Sequence, residues 1–297
     1  MQQSSSHGIV YSSEHFTSEF IDWLVQSPTH TALLLAEPAL ADDVVLTNDT
    51  PESVFAAAWA EVSADPELAE ALQQAGYTRD KGFAEFTAAL ARPLPDAADR
   101  QVSAALTVDY QVQEQDDAFV HSIDGEQVLA IPKSVEAAPM VSTNAQAVMY
   151  GIFIVIDVLS VIAAAASVSV MVNKARIAKS LQGPLNGFLR KLFNPAAVRK
   201  LEELAKTGKK IDLIQKVLGT LRGSVNLKTV VTTFLESMSV VEKGIAVAQL
   251  VASILALLAT AGASLAAKIL QLVAAVAMLV TDIITFVRAV RNPQAAG

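Results

Sequence analysis

Two long segments that carry almost no charge constrain this chain more than any other feature of its sequence. Ala147–Val172 contains one charged residue, Asp157, and Ile245–Val287 contains only Lys268 and Asp282. As a helix, the first segment would be about 39 Å long, compared with about 30 Å for the hydrocarbon core of a bilayer. Segments of this kind need an apolar environment on every side, which either lipid or the rest of the protein must provide.

The second apolar segment fits two geometries. It could form one helix of about 65 Å, or a hairpin that turns near Thr260–Ser264, with each arm long enough to cross a bilayer. Small residues recur in it at spacings of three and four, which allows close approach between helices in a membrane or in a tight soluble bundle. These residues are Ala248, Ala252, Ala256, Ala259, Ala263 and Ala267.

The charge of the chain is divided unequally between its two halves. Residues 1–145, the acidic front, hold 23 acidic and 5 basic residues, whereas residues 146–297, the basic back, hold 7 acidic and 17 basic residues. The halves therefore carry net charges of −18 and +10. A basic half favours an anionic surface as partner. Because the whole chain is acidic and the cations follow an amphipathic pattern, we expect a membrane and not a nucleic acid.

Helix signals recur along the front. Proline is favoured at the first position of a helix because its missing N–H would have no partner there. The predicted helices cover Glu14–Gln26, Thr29–Glu37, a segment that begins at Thr50 and Pro51, a segment that begins at Asp65 and Pro66 and ends at Gly76, and Arg79–Ala91.

Strand signals follow between residues 104 and 132. Apolar residues alternate with polar or small ones at Leu106, Val108, Tyr110 and Val112. Asp124 and Gly125 separate two short apolar runs, which is typical of a tight hairpin turn. The pattern predicts a three-stranded antiparallel meander.

Amphipathic helices are predicted between the two apolar segments. They comprise a helix with Leu185, Phe188, Leu189, Leu192 and Phe193 on its apolar face, a helix from Asn194 and Pro195 to Gly208, a helix with Ile211, Ile214, Val217, Leu218 and Leu221, and a helix from Asn226 toward Lys243.

Together these signals predict a mostly α-helical chain in four parts. They are a disordered tail (1–14), an acidic α+β domain of helices plus the meander (15–132), a linker (133–146), and a basic all-α bundle with long apolar helices and a membrane-inserting hairpin (147–297).

The sequence offers little for catalysis. It has no cysteine, and it lacks the motifs of nucleotide-binding loops, serine hydrolases and zinc proteases. His15 and Glu19 lie four residues apart on a predicted helix, so both could bind one metal ion. Two such residues without further ligands usually form an ordinary surface pair. We expect no catalytic residue, no cofactor and no metal.

Three groups of residues are candidates for membrane action. The predicted membrane-inserting residues are Ile152, Phe153, Ile156, Leu159, Ile162, Leu250, Ile254, Leu257, Ile269, Leu272 and Leu279. The predicted ligands of lipid headgroups are Lys174, Arg176, Lys179, Arg190, Lys191, Lys209 and Lys210. The predicted buried or gating charges are Asp157, Lys268 and Asp282.

The favoured function is that of an α-helical, toxin-like pore-forming or membrane-permeabilising protein. It would be soluble first, insert 147–172 and 245–287 into an anionic membrane, and form a homo-oligomer there. This plan is similar in outline to the pore domains of colicins and other α-pore-forming toxins, although no motif assigns the chain to a family. The alternatives are a constitutive polytopic membrane protein and a non-catalytic soluble scaffold or oligomer subunit.

The N-terminal sequence bears on localisation. The first 30 residues contain no lysine or arginine, which predicts the absence of a secretory signal peptide. A protein of this kind would reach the exterior by another route, such as lysis or a dedicated export machine.

Overall fold

A computed structural model describes residues 49–94, 96, 98–116, 118–132, 138–236, 240–259 and 262–291. In this part of the chain the fold is predominantly α-helical, with thirteen helices and one small antiparallel sheet. The tail and the helices predicted before residue 49 lie outside the described residues, as do residues 133–137 of the predicted linker.

The front begins with helices whose starts were encoded locally. The Thr50 hydroxyl accepts a hydrogen bond from the Ser53 N–H at 3.2 Å, and an Asp65 carboxylate oxygen accepts one from the Glu67 N–H at 3.1 Å, so both predicted caps are confirmed. The elements are α1 (Pro51–Ser63), α2 (Pro66–Gln74), α3 (Arg79–Ala91), α4 (Ala98–Leu106), β1 (Tyr110–Glu114), β2 (Ala118–Ile123) and β3 (Glu126–Pro132).

The sheet is the predicted meander, with strand order β1-β2-β3 and antiparallel pairing throughout. Asp124 (φ 51°) and Gly125 (φ 77°) form the turn between β2 and β3 with positive φ at both positions. One detail of the prediction is wrong, because Leu106 ends α4 and does not begin a strand. Val102 and Leu106 lie four residues apart on the buried side of that helix.

Every secondary-structure element in the described part of the back is a helix. Asn194 and Pro195 begin a helix, Gly208 ends it in the left-handed conformation (φ 69°), and Asn226 caps a later one, all as predicted. The helices are α5 (Ala138–Ala165), α6 (Lys174–Leu181), α7 (Asn186–Leu192), α8 (Pro195–Thr207), α9 (Lys210–Arg222), α10 (Leu227–Phe234), α11 (Val240–Leu258), α12 (Ala263–Gln271) and α13 (Val273–Arg291).

The first apolar segment is helical over a different range from that predicted. The helix α5 begins at Ala138, inside the predicted linker, and ends at Ala165 and not at Val172. Ser167 adopts φ 56°, and the N–H groups of Ser167 and Val168 bond back to the Ala164 and Ala163 carbonyl oxygens at 3.0 and 2.8 Å. This left-handed cap stops the helix although the sequence stays apolar.

The second apolar segment adopts neither predicted geometry in full. The helix α11 ends at Leu258 and α12 begins at Ala263, close to the predicted turn, but the helical path breaks again at Leu272. The two long arms do not pair, because α11 packs on α1 and α2, whereas α13 packs chiefly on α5. The helix that begins at Asn226 is also shorter than predicted, and ends at Phe234.

The helix α5 lies at the centre of the molecule. It contacts α4, α6, α7, α9, α10, α11, α12 and α13, and the buried apolar residues of front and back form one continuous cluster. Two described helices are long and apolar enough to cross a membrane: Gln146–Ala165 within α5 (mean hydropathy 2.4, 89% buried) and Val273–Arg291, which is α13 (mean hydropathy 2.0, 39% buried). The more apolar of them is thus the one that the protein encloses.

Candidate functional site: a buried charge cluster on the central helix

The single charge on the apolar part of α5 is neutralised inside the protein. The Lys174 ammonium lies 2.8 Å from an Asp157 carboxylate oxygen, and the two side chains are 1% and 0% exposed. Removing two charges from water has a desolvation penalty of several kcal/mol per ion, which is offset only by close pairing and further hydrogen bonds. The pair therefore depends on its surroundings for stability.

Lys174 also connects the central helix to the front. Its ammonium donates a hydrogen bond to the carbonyl oxygen of Leu106, the last residue of α4, and lies 5.6 Å from the centre of the Phe153 ring. Carbonyls at the C-terminal end of a helix lack partners within the helix and carry its negative dipole end. Asn173 caps α6 by accepting the Arg176 N–H at 2.8 Å, which places Lys174 at the start of that helix.

A second carboxylate completes this cluster. Asp282 of α13 lies close to Asp157. Of the two carboxyl groups, that of Asp157 contacts the Lys174 ammonium. The resulting charge cluster, Asp157, Lys174 and Asp282, joins α5, α6 and α13, and reaches α4 through Leu106.

The sheet contacts the same side of α5 through an uncharged pair. The Tyr110 hydroxyl lies 2.8 Å from Nδ1 of His121, and the Tyr110 ring makes edge contacts with Tyr150 and Phe153 at 5.7 and 5.6 Å. Burial raises the pKa of Tyr110 well above its usual range and lowers the pKa of His121 to about 4. Both groups are therefore neutral at pH 7.

Other lysines of the back are bound by the front in similar ways. Lys268 is buried and donates to the Ala89 carbonyl oxygen in the last turn of α3. Lys228 lies 3.2 Å from Asp65, and Lys179 lies 2.6 Å from Glu126. Hydrogen bonding from the Leu68 backbone N–H, followed by that from Lys228, lowers the pKa of Asp65.

All the predicted membrane-inserting residues lie in the interior of this fold and are at most 1% exposed. They are Ile152, Phe153, Ile156, Leu159 and Ile162 in α5, Leu250, Ile254 and Leu257 in α11, Ile269 and Leu272 in and after α12, and Leu279 in α13.

The predicted headgroup ligands do not form one equivalent set. Lys174 is buried in the ion pair, so it cannot contact a headgroup in this conformation. Lys179 is paired with Glu126, and Lys191 donates to the Gly223 carbonyl oxygen at 2.8 Å. The remaining members are exposed or half-buried: Arg176, Arg190, Lys209 and Lys210.

Of the predicted gating charges, the structure brings Asp157 and Asp282 together, while Lys268 lies apart on α12. Two pairings were not predicted from the sequence: that of Asp157 with Lys174, which lies 17 residues later on a separate helix, and that of Tyr110 with His121. Neither pairing has a local sequence signal, because tertiary packing creates both.

No group of three or more potential metal-binding side chains occurs among the residues that the structure describes. No protein family, curated protein or solved structure matches the chain.

Proposed function

We propose that this protein permeabilises membranes, and that the fold described here is its closed form. The observation that carries the proposal is the state of Gln146–Ala165, a span of membrane-crossing length that is 89% buried and whose one charge is paired with Lys174. The protein covers the span with helices that could move away from it.

Insertion would begin with separation of the charge cluster. A charged Asp157 at the centre of a bilayer has a penalty of about 3 kcal/mol on insertion scales. Apolar side chains gain little by moving from a protein core to lipid, since both environments are apolar. The state of Asp157 and Lys174 therefore controls how readily α5 leaves the bundle.

An anionic surface supplies a driving force for that separation. Each lysine or arginine near such a surface contributes about 1 kcal/mol of attraction. Lys179 and Lys228 are held by Glu126 and Asp65 of the front, and lipid phosphates would compete with these carboxylates. Such competition would loosen the front from the back and uncover α5.

A second candidate is a soluble, non-catalytic subunit of an assembly. Leu270 and Val273, at the junction of α12 and α13, are 48% and 58% exposed, and a second copy of the chain could cover them. This candidate function predicts a stable oligomer in solution that does not bind lipid vesicles.

Dye release from vesicles tests the proposal. The purified protein should release a trapped dye from phosphatidylglycerol-rich vesicles and release much less from phosphatidylcholine vesicles at the same concentration. Absence of both binding and release between pH 4 and 8 would overturn the proposal. Light scattering without lipid would identify the assembly subunit, and a requirement for detergent would identify a constitutive membrane protein.

A further inference from the structure

The three-stranded sheet holds a histidine that has no route to water. His121 lies on β2, the central strand, which is hydrogen-bonded to β1 along one edge and to β3 along the other. The residue is 0% exposed. Because β2 is held on both edges, His121 can be hydrated only if the sheet separates from the helices that pack on it.

The hydrogen bonding of His121 suits the neutral imidazole. Its Nδ1 lies 2.8 Å from the Tyr110 hydroxyl, and its Nε2 has no hydrogen-bond partner among the described residues. Protonation makes both ring nitrogens donors. The cation would then carry a buried N–H without an acceptor, in addition to a charge removed from water, and both are unfavourable.

The charges around the sheet do not compensate a cation at this position. The titratable side chains on the elements that pack against β2 and β3 are Tyr110 and Glu114 of β1, Glu126 of β3, Tyr150 and Asp157 of α5, and Lys174, Arg176 and Lys179 of α6. Asp157 and Glu126 are paired with Lys174 and Lys179, and Glu114 is exposed. Burial is accordingly the cause that lowers the pKa of His121.

Tyr110 connects this histidine to the central helix. Its ring makes edge contacts with Tyr150 and Phe153 of α5 at 5.7 and 5.6 Å. The Lys174 ammonium in turn lies 5.6 Å from the centre of the Phe153 ring. A continuous path of contacts therefore leads from His121 to the charge cluster, and separation of the sheet would break it.

We propose that His121 is an acid sensor, whose protonation separates the sheet from α5 and α6 and uncovers α5 around Tyr150 and Phe153. This opening is a property of the fold and needs no membrane. Its consequence for membranes rests on the proposed function: acid would uncover α5 and so set the pH at which permeabilisation begins.

Labelling of single cysteines tests the sensor, since the chain has no cysteine of its own. Val128→Cys in β3 and Val251→Cys in α11 each replace a valine that is 0% exposed. The reagent 4,4′-dithiodipyridine reacts with thiols at acid pH, and each rate is divided by that of the urea-unfolded protein at the same pH. Val128→Cys should react about 150-fold faster at pH 4 than at pH 7, because the pKa of His121 is about 4 in the closed sheet and about 6.5 once hydrated.

The cysteine in α11 distinguishes local from global opening. The helix α11 makes its main contacts with α1 and α2, so Val251→Cys is exposed only by global unfolding. It should therefore react more slowly than Val128→Cys at pH 4, by about tenfold or more.

Two histidine variants in the Val128→Cys background complete the test. His121→Gln cannot titrate and should show no rise in labelling between pH 7 and pH 4. His121→Leu takes its place if circular dichroism shows that the glutamine variant does not fold. His30→Gln is the matched control, since it removes a histidine elsewhere in the chain, and it should keep the full rise.

Vesicle experiments are separate from this test, because the labelling is done without lipid. Dye release from phosphatidylglycerol-rich vesicles should increase on acidification for the unmodified protein, and less for His121→Gln. Absence of all release would overturn the proposed function and not the sensor. The sensor is wrong if folded His121 variants keep the rise in labelling, or if Val251→Cys reacts as fast as Val128→Cys at pH 4.

Discussion

Among single residues, Lys174 combines three structural roles. It neutralises Asp157, bonds to the end of α4 at Leu106 and begins α6. A buried ion pair of this kind is weak evidence for net stability, but removal of one partner leaves an uncompensated charge in the core.

Lys174→Met should therefore destabilise the protein by about 3–5 kcal/mol, measured by urea unfolding. The double variant Lys174→Met with Asp157→Leu should recover most of this loss, because it removes both charges. Lys179→Met is the control, since its pair with Glu126 is partly exposed and should contribute less than about 1 kcal/mol. Equal losses for Lys174→Met and Lys179→Met would contradict this role of Lys174.

His121 should make the fold sensitive to acid. Its pKa of about 4 in the fold lies below the value of about 6.5 expected for an unfolded chain. Above pH 6.5 neither state is protonated, and between pH 6.5 and 4 the unfolded state takes up a proton that the folded state does not. Stability should therefore fall by about 3 kcal/mol across this interval.

The variant for this test is His121→Gln, which cannot titrate and keeps a polar group near Tyr110. Urea midpoints at several pH values between 7.5 and 4 should show a shallower decline for the variant. Parallel declines in both proteins would mean that other groups cause the acid sensitivity.

At the scale of whole elements, the turn between α11 and α12 depends on close backbone contact. A Cβ atom at Gly262 would meet the carbonyl oxygen of Ala256 well inside van der Waals distance, and backbone cannot move aside as a flexible side chain can. A Cβ at Gly244 in α11 would meet nothing closer than 3.6 Å.

Gly262→Ala should consequently destabilise the protein by about 1–3 kcal/mol through overpacking. Gly244→Ala, the matched substitution, should be neutral or stabilising by up to about 1 kcal/mol, because alanine favours the helix. Thermal unfolding distinguishes the two, and similar melting temperatures for both variants would rule out a close contact at the turn.

An element could be predicted well where neighbouring residues in the sequence determine its start or end. The starts of α1, α2 and α8 follow from a capping side chain next to a proline, and the β2–β3 turn follows from Asp124 and Gly125. The end of α5 at Ala165 has no such signal, because the sequence stays apolar and the left-handed residue is Ser167. Only part of the charge cluster could be predicted. Asp157 and Asp282 are conspicuous because they interrupt apolar segments, whereas Lys174 lies among other basic residues.

At the scale of the whole molecule, the acidic front and the basic back are joined by ion pairs in which lysines of the back contact carboxylates of the front, such as Lys179 with Glu126 and Lys228 with Asp65. Lys209 and Lys210 are not buried in this way, so they can meet an anionic surface first. Two lysines near such a surface contribute about 2 kcal/mol, or about a thirtyfold change in partitioning.

Lys209→Gln with Lys210→Gln should thus weaken binding to anionic vesicles by about thirtyfold at low salt, and the effect should shrink as salt screens the charges. Arg79→Gln with Lys81→Gln removes the same charge from the front and should change binding much less. Vesicle sedimentation measures both. Equal losses in the two double variants would mean that net charge, and not the position of the lysines, governs binding.

The early end of α5 also sets a limit on how far the ion pair can separate. Residues 166–173 connect α5 to Lys174, and eight residues of extended chain span at most about 28 Å. If α5 entered a bilayer, Lys174 would remain tethered close to the membrane surface. A short tether keeps its two ends at a high effective concentration of each other. Asp157 could then recapture its lysine when the membrane is withdrawn, which would make opening of the bundle reversible.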